Sequence, residues 1–139
     1  MERAPAVIVL DTHVLVWCSL APERLGSQAR ALLQQAWSEQ GVGVSAISFW
    51  EVAMLQRRGR LSLPQSASAW RRTWLENGLE EFALDGDLAI AGAELDGLHA
   101  DPADRWIAAA ALQLGALLIT ADAQLLAWQA PLERQDARQ

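Results

Sequence analysis

A chain of 139 residues is the length of one domain, and its 52% apolar and 20% charged content marks a globular protein rather than a disordered one. The net charge is −6 and there is no lysine, so all eleven cations are arginines; this argues against a general electrostatic binder of nucleic acid and excludes a P-loop, a phosphate-sensing receiver and a Schiff-base enzyme. No run approaches the ~18–20 apolar residues of a membrane span, Met1 to Pro5 do not open a signal peptide, and a single cysteine cannot form an internal disulfide, so a cytoplasmic protein with no membrane partner is expected.

Val7-Ile8-Val9-Leu10 is a short β-branched run closed by Asp11 and predicts a buried strand. A short helix is expected over His13 to Leu20, with Cys18 as a small buried hydrophobe in it. Pro22 and Gly26 punctuate a turn. From Ser27 to Glu39, Ala29, Leu32, Leu33 and Ala36 recur at helical spacing on one face. Val42 to Ala46 predicts a second strand, followed by a helix from Ser48 that stops near Gly59. A further helix is expected over Ser66 to Asn77, a weak strand over Phe82 to Leu84, and a helix marked by Leu88, Ala91, Gly92 and Leu95. Asp101-Pro102 opens the next helix, which buries Ile107, Ala110, Ala111 and Leu114 and ends at Gly115. Ala116 to Thr120 is a third strand, and Asp122 could cap a short segment over Ala123 to Trp128. Trp128 to Glu133 carries little strand signal, and a frayed tail is expected from about residue 129 of one domain spanning 1–139. The seven tryptophans are expected mostly in the core, with Trp70 and Trp74 one turn apart and available for a dimer or partner surface.

Strands alternating with helices at this spacing predict an α/β sandwich around a mostly parallel sheet, in which ligands bind beyond the carboxyl ends of the strands. Four acids plausibly approach that edge. Asp11 closes the first strand, Asp122 follows the third, Glu51 lies on the helix after the second, and Asp104 lies in the first turn of the helix that feeds the third. Each has a purely structural explanation. Asp11 and Asp122 could cap helices. Ser48-Phe49-Trp50-Glu51 reads as a capping box with Ile47 and Val52 as its staple. Asp101 is read as a cap ahead of Pro102. Capping does not explain why four acids share one edge. Two carboxylates 4 Å apart repel by roughly 4 kcal/mol at an effective dielectric of 20, so such a cluster takes up protons or a cation. All-oxygen ligands suit Mg²⁺ or Mn²⁺. His13, His99 and Cys18 lack zinc-ligand spacing. Carboxylates around such an ion are a standard apparatus for phosphodiester hydrolysis.

The segments Leu10 to Trp17, Ser45 to Ala53, Gly59-Arg60-Leu61, Asp101 to Arg105 and Leu118 to Asp122, in this order and at these separations, resemble the PIN-domain family, and within it the VapC-type toxins of toxin–antitoxin pairs. The resemblance covers about Val7 to Trp128. It implies a three-layer α/β/α sandwich and a Mg²⁺-dependent endoribonuclease, with Asp11, Glu51, Asp104 and Asp122 at the family's acidic positions and Thr120 hydrogen-bonding around them. It further implies a homodimer and a small antitoxin that blocks the site. Thr12, His13, Ser48, Asp101 and Arg105 are candidates for holding substrate or supporting the acids, and Arg57, Arg58 and Arg60 for meeting RNA phosphates. Two departures stand out. Leu55 occupies a place where many relatives carry lysine, and a final strand is not evident. A haloacid-dehalogenase-like phosphatase is a poor fit, because His13 stands where a second Asp is needed and the downstream cation is ordinarily lysine, only occasionally arginine, and this chain has no lysine. A non-catalytic RNA- or protein-binding module of the same fold is the alternative reading.

Overall fold

The computed structural model describes residues 7–39, 41–98 and 101–139. Among them, a five-stranded, wholly parallel sheet runs in the order β3-β2-β1-β4-β5. The strands are β1 (Ile8–Leu10), β2 (Val42–Ser45), β3 (Glu80–Phe82), β4 (Leu117–Thr120) and β5 (Glu133–Asp136). The helices are α1 (Thr12–Leu20), α2 (Ser27–Ser38), α3 (Ala46–Arg57), α4 (Ala67–Glu76), α5 (Gly86–Ala93), α6 (Pro102–Leu114) and α7 (Ala123–Ala127), with a 3-10 turn at Pro22–Arg24.

The two faces of β1 explain the layers. Ile8 and Leu10 point into a core with Val14 and Leu15 of α1, Ala29 of α2, Val52 of α3 and Trp70 of α4. Val9 points the other way, onto Ile107, Ala108 and Ala111 of α6 and Leu125 of α7. A strand buried on both faces must be apolar throughout, and β1 is. Leu88 of α5 packs in turn on Ala109 and Ala110 of α6. The result is the expected three-layer α/β/α sandwich.

Strand order then fixes where a site can form. The chain steps from β1 to β2 to β3 in one direction, then crosses back to lay β4 on the other side of β1. The crevice at that reversal, beyond the carboxyl ends of β1 and β4, is the usual ligand position in open parallel sheets. Asp11 and Thr120 flank it.

Several expectations are corrected. The tail is not frayed: β5 pairs with β4 from Leu117–Glu133 to Thr120–Asp136. Beyond it, Ala137 is fully buried, and its carbonyl accepts from Gly26 N at 2.9 Å while Gln139 O accepts from Ala29 N at 2.9 Å. Gly26 permits this approach, because a Cβ there would stand 2.2 Å from the Gln139 backbone. The weak strand lies two residues earlier than read, at Glu80–Phe82. Helix α3 begins at Ala46 with Ser45 as its cap, Ser45 Oγ accepting from Ile47 N at 3.2 Å. The capping box at Ser48 is therefore not formed, and Glu51 lies in the second turn. Trp70 is interior, its Nε1 donating to Ser19 Oγ at 3.0 Å, and not part of a partner surface. Trp74 stacks edge-on against both Trp37 and Trp70. Trp50, by contrast, is 57% exposed. Cys18 is half-buried, and desolvation pushes its thiol up to about 11, which fits an inert packing role.

Candidate active site

Asp11, Glu51 and Asp104 line one cavity of about 200 Å³ at the β1 end of the crevice, together with Thr12, His13 and Arg60. Residues distant in the chain thus line one cavity, Asp11 from the carboxyl end of β1, Glu51 from the second turn of α3 and Asp104 from the first turn of α6.

Asp11 is 2% exposed and fully bonded. Its Oδ1 accepts from Thr12 N at 2.8 Å, capping α1 as the bland reading allowed. Its Oδ2 accepts from the buried Thr120 hydroxyl at 2.7 Å. Thr120 Oγ1 also accepts from Asp122 N at 3.0 Å, so one hydroxyl ties the ends of β1 and β4 together. Asp122 caps α7, Oδ1 accepting from Gln124 N at 2.7 Å and Leu125 N at 3.2 Å. His13 completes this wall. Its Nε2 accepts from Ala121 N at 2.9 Å, so the neutral ring carries its proton on Nδ1, which stands 3.6 Å from Asp11 Oδ2.

Glu51 is held from α1. The Thr12 hydroxyl donates to Glu51 Oε1 and lies 2.9 Å from the buried Ser48 Oγ. Thr12 has one hydroxyl proton, so both contacts are satisfied when it donates to Glu51 and accepts from Ser48. Burial raises the Glu51 carboxyl; the Thr12 bond partly offsets this, and Asp11 and Asp101 push it further up.

Asp104 accepts no side-chain hydrogen bond among the described residues. Burial first, then the negative charges of Asp11, Glu51, Asp122 and Asp101, push its carboxyl up to about 7. This is the pattern of a carboxylate forced among like charges. Asp122 thus acts on Asp104 electrically although it does not line the cavity. Asp101 precedes α6 but makes no side-chain cap bond, contrary to its reading as a plain cap; it lines an adjoining cleft instead.

The remaining candidates divide. Arg105 is not at the site. Its guanidinium donates to the carbonyls of Gly92 at 2.9 Å and Leu95 at 2.6 Å, and to Leu98, clasping the end of α5. Arg58 lines the adjoining cleft and Arg57 is exposed at the end of α3. Arg71, from the other arginine cluster, is paired with Glu81 at 2.7 Å and 2.8 Å. His99 lies outside the described residues. The adjoining cleft of about 650 Å³, with Trp50, Met54 and Trp106 on its walls and Glu51 shared with the acid cavity, was missed. Composition alone assigns the tryptophans to the core, and nothing local in the sequence marks Trp50 as exposed.

The donors at the cavity are carboxylate oxygens, which fit a hard divalent cation. Among the described residues, no three of them already stand around a common ion position. Among the described residues, no helix is long and apolar enough to cross a membrane.

The family model for the PIN domain matches residues 8–128. The chain is 32% identical over 124 residues to Ribonuclease VapC22 of Mycobacterium tuberculosis, covering 89% of this chain and 93% of that protein. In fold it is similar to VapBC from Salmonella typhimurium bound to DNA (TM-score 0.69, 21% identity, 95% and 98% of the two chains). It is similar again to VapBC2 from Rickettsia felis bound to a fragment of promoter DNA (TM-score 0.68, 17% identity, 93% and 97%). A model spanning nearly all of the sheet and every acid of the cavity leaves one assignment: the chain belongs to the PIN domain family.

Proposed function

We propose that this chain is a Mg²⁺-dependent endoribonuclease, with Mn²⁺ able to substitute, acting as the toxin of a toxin–antitoxin pair in the cytoplasm. The observation that carries the reading is that Asp11, Glu51 and Asp104 line one small cavity. A divalent cation held there would supply an acidified water and charge stabilisation on the phosphate. Asp11, Glu51, Asp104 and Asp122 are the residues that would hold it. Thr120 orients Asp11, Thr12 and Ser48 orient Glu51, and His13 braces Asp11 against the β4 end. Asp101 adds negative charge at the rim.

The reading includes an RNA substrate, a homodimer and a small cognate antitoxin that covers the site, in keeping with the ribonuclease name of the 32%-identical relative. The alternative, a module that binds RNA or protein without cutting, draws on the absence of a preformed ion position among the described residues. Incubating the purified chain and Asp11→Asn with cellular RNA, in Mg²⁺ and in EDTA, separates them. Cleavage by the parent in Mg²⁺ alone is expected. Equal cleavage by Asp11→Asn, or none by the parent, would count for the alternative. Mapping cut ends after expression with and without the neighbouring small gene then tests the partner.

A further inference from the structure

We propose that Arg60 grips the phosphate to be cut, an inference that rests on the nuclease reading and names the cation it requires. A chain with net charge −6 and no lysine must meet phosphate with arginine. Five of the ten described arginines are already engaged in hydrogen bonds or ion pairs. Arg30, Arg105 and Arg134 bond to backbone carbonyls, and Arg71 and Arg138 sit in ion pairs. Arg60 has no hydrogen bond or ion pair among the described residues, and it alone among the described arginines lines the acid cavity.

The end of α3 explains its position. Gly59 adopts φ 71, and Gly59 N donates to Gln56 O at 3.0 Å while Arg60 N donates to Leu55 O at 2.9 Å. These are the paired bonds of a Schellman turn, which folds the chain back under the last helical turn. Arg60 therefore stands beside Leu55, one turn from Glu51. Arg60 is exposed, lines the acid cavity, and forms no ion pair with the acids among the described residues. With the acids satisfied by a divalent cation, its fork of donors is left for the non-bridging oxygens of a phosphate, where charge builds as the leaving oxygen departs.

The test compares Arg60→Ala, Arg60→Lys and Arg60→Ala/Leu55→Lys, the last placing a new cation on the same cavity wall. Arg60→Ala should lower kcat/KM by about 100-fold, while the rise in melting temperature with Mn²⁺ stays as in the parent. Arg60→Lys and the double variant should each regain at least about tenfold, on the one-decade scale of a single charge-assisted contact. On an Asp104→Asn background, which removes cleavage, Arg60→Ala should weaken binding of single-stranded RNA and reduce its logarithmic salt slope by about 0.7, the change for one lost phosphate contact. Activity within about twofold of the parent, an unchanged salt slope, or loss of the Mn²⁺ response would each overturn the proposal. A parent that binds RNA through Arg60 yet cuts none would sink the nuclease reading and leave the phosphate contact standing.

Discussion

The two walls of the acid cavity are built differently. On the β1–β4 side, Asp11 is sealed in and bonded at both oxygens, to Thr12 N and to the Thr120 hydroxyl, and His13 bridges from Ala121 N–H toward it. On the α6 side, Asp104 has no side-chain partner among the described residues, and its carboxyl is pushed up to about 7. Burial among like charges favours the protonated form of a carboxyl. One wall is therefore fixed before any cation arrives. The other is held by no side-chain hydrogen bond among the described residues, and its surroundings favour the protonated carboxyl. Glu51 lies between these extremes, bonded by Thr12 but still raised.

Breaking either wall at its ligand should have the largest effect. Asp11→Asn and Asp104→Asn are each expected to lower RNA cleavage by on the order of 10³-fold, or ~4 kcal/mol of barrier. Glu51→Gln should act similarly while unfolding stays close to the parent, because Ser45 and not Glu51 caps α3. Full activity in Glu51→Gln would remove it from the site.

Breaking only the support of the fixed wall should cost less. Thr120→Val keeps the shape but strands Asp11 Oδ2 and Asp122 N, so denaturant unfolding should show a loss of about 1–3 kcal/mol. Activity should fall about 10–100-fold, the usual cost of removing a ligand's hydrogen-bond partner. An activity loss without a stability loss would mean that Thr120 touches substrate instead.

The adjustable wall is sharpened by pH. The folded Asp104 carboxyl titrates near 7, above its ordinary 3.8, so the folded state binds more protons than the unfolded chain between those values. Stability of the metal-free protein should therefore fall as pH rises from about 4 to about 7 and level off above, as far as this group is concerned. Asp104→Asn should flatten that slope and raise the melting temperature in EDTA at pH 8 by several degrees, on a scale of ~3–5 °C per kcal/mol. A steeper fall in Asp104→Asn would place the titrating group elsewhere. The smallest effect is expected from Arg57→Ala, which lines neither the acid cavity nor the adjoining cleft; cleavage should change less than about twofold.

The parts legible in the sequence are those where one interaction dominates. β1, β2 and β4 are short apolar runs because they are buried on both faces, and the Asp101-Pro102 opening of α6 places Asp104 at its third position. β5 was illegible because Glu-Arg-Gln-Asp at a sheet edge pairs through backbone groups that carry no side-chain signature. The spacing of Ser48 to Glu51 fits a cap, but Ser45, three residues earlier at the end of β2, takes that place. Arg105 follows Asp104 in sequence yet lies about 100° around α6, which turns it to the end of α5. The relation of the acids to the strands points to one edge, where Asp11, Glu51 and Asp104 line a cavity and Asp122 stands outside it as the cap of α7. What sequence could not supply was the unequal way in which the fold holds them.

Melting the metal-free protein at pH 8 in EDTA and then in millimolar Mn²⁺ tests the central claim most directly. If the acids are mutually tolerable only around a divalent cation, the melting temperature should rise by several degrees in the parent, since an ion at 100 times its Kd stabilises by about 2.7 kcal/mol, and should rise far less in Asp104→Asn. Superimposable curves for the parent in the two conditions would contradict it.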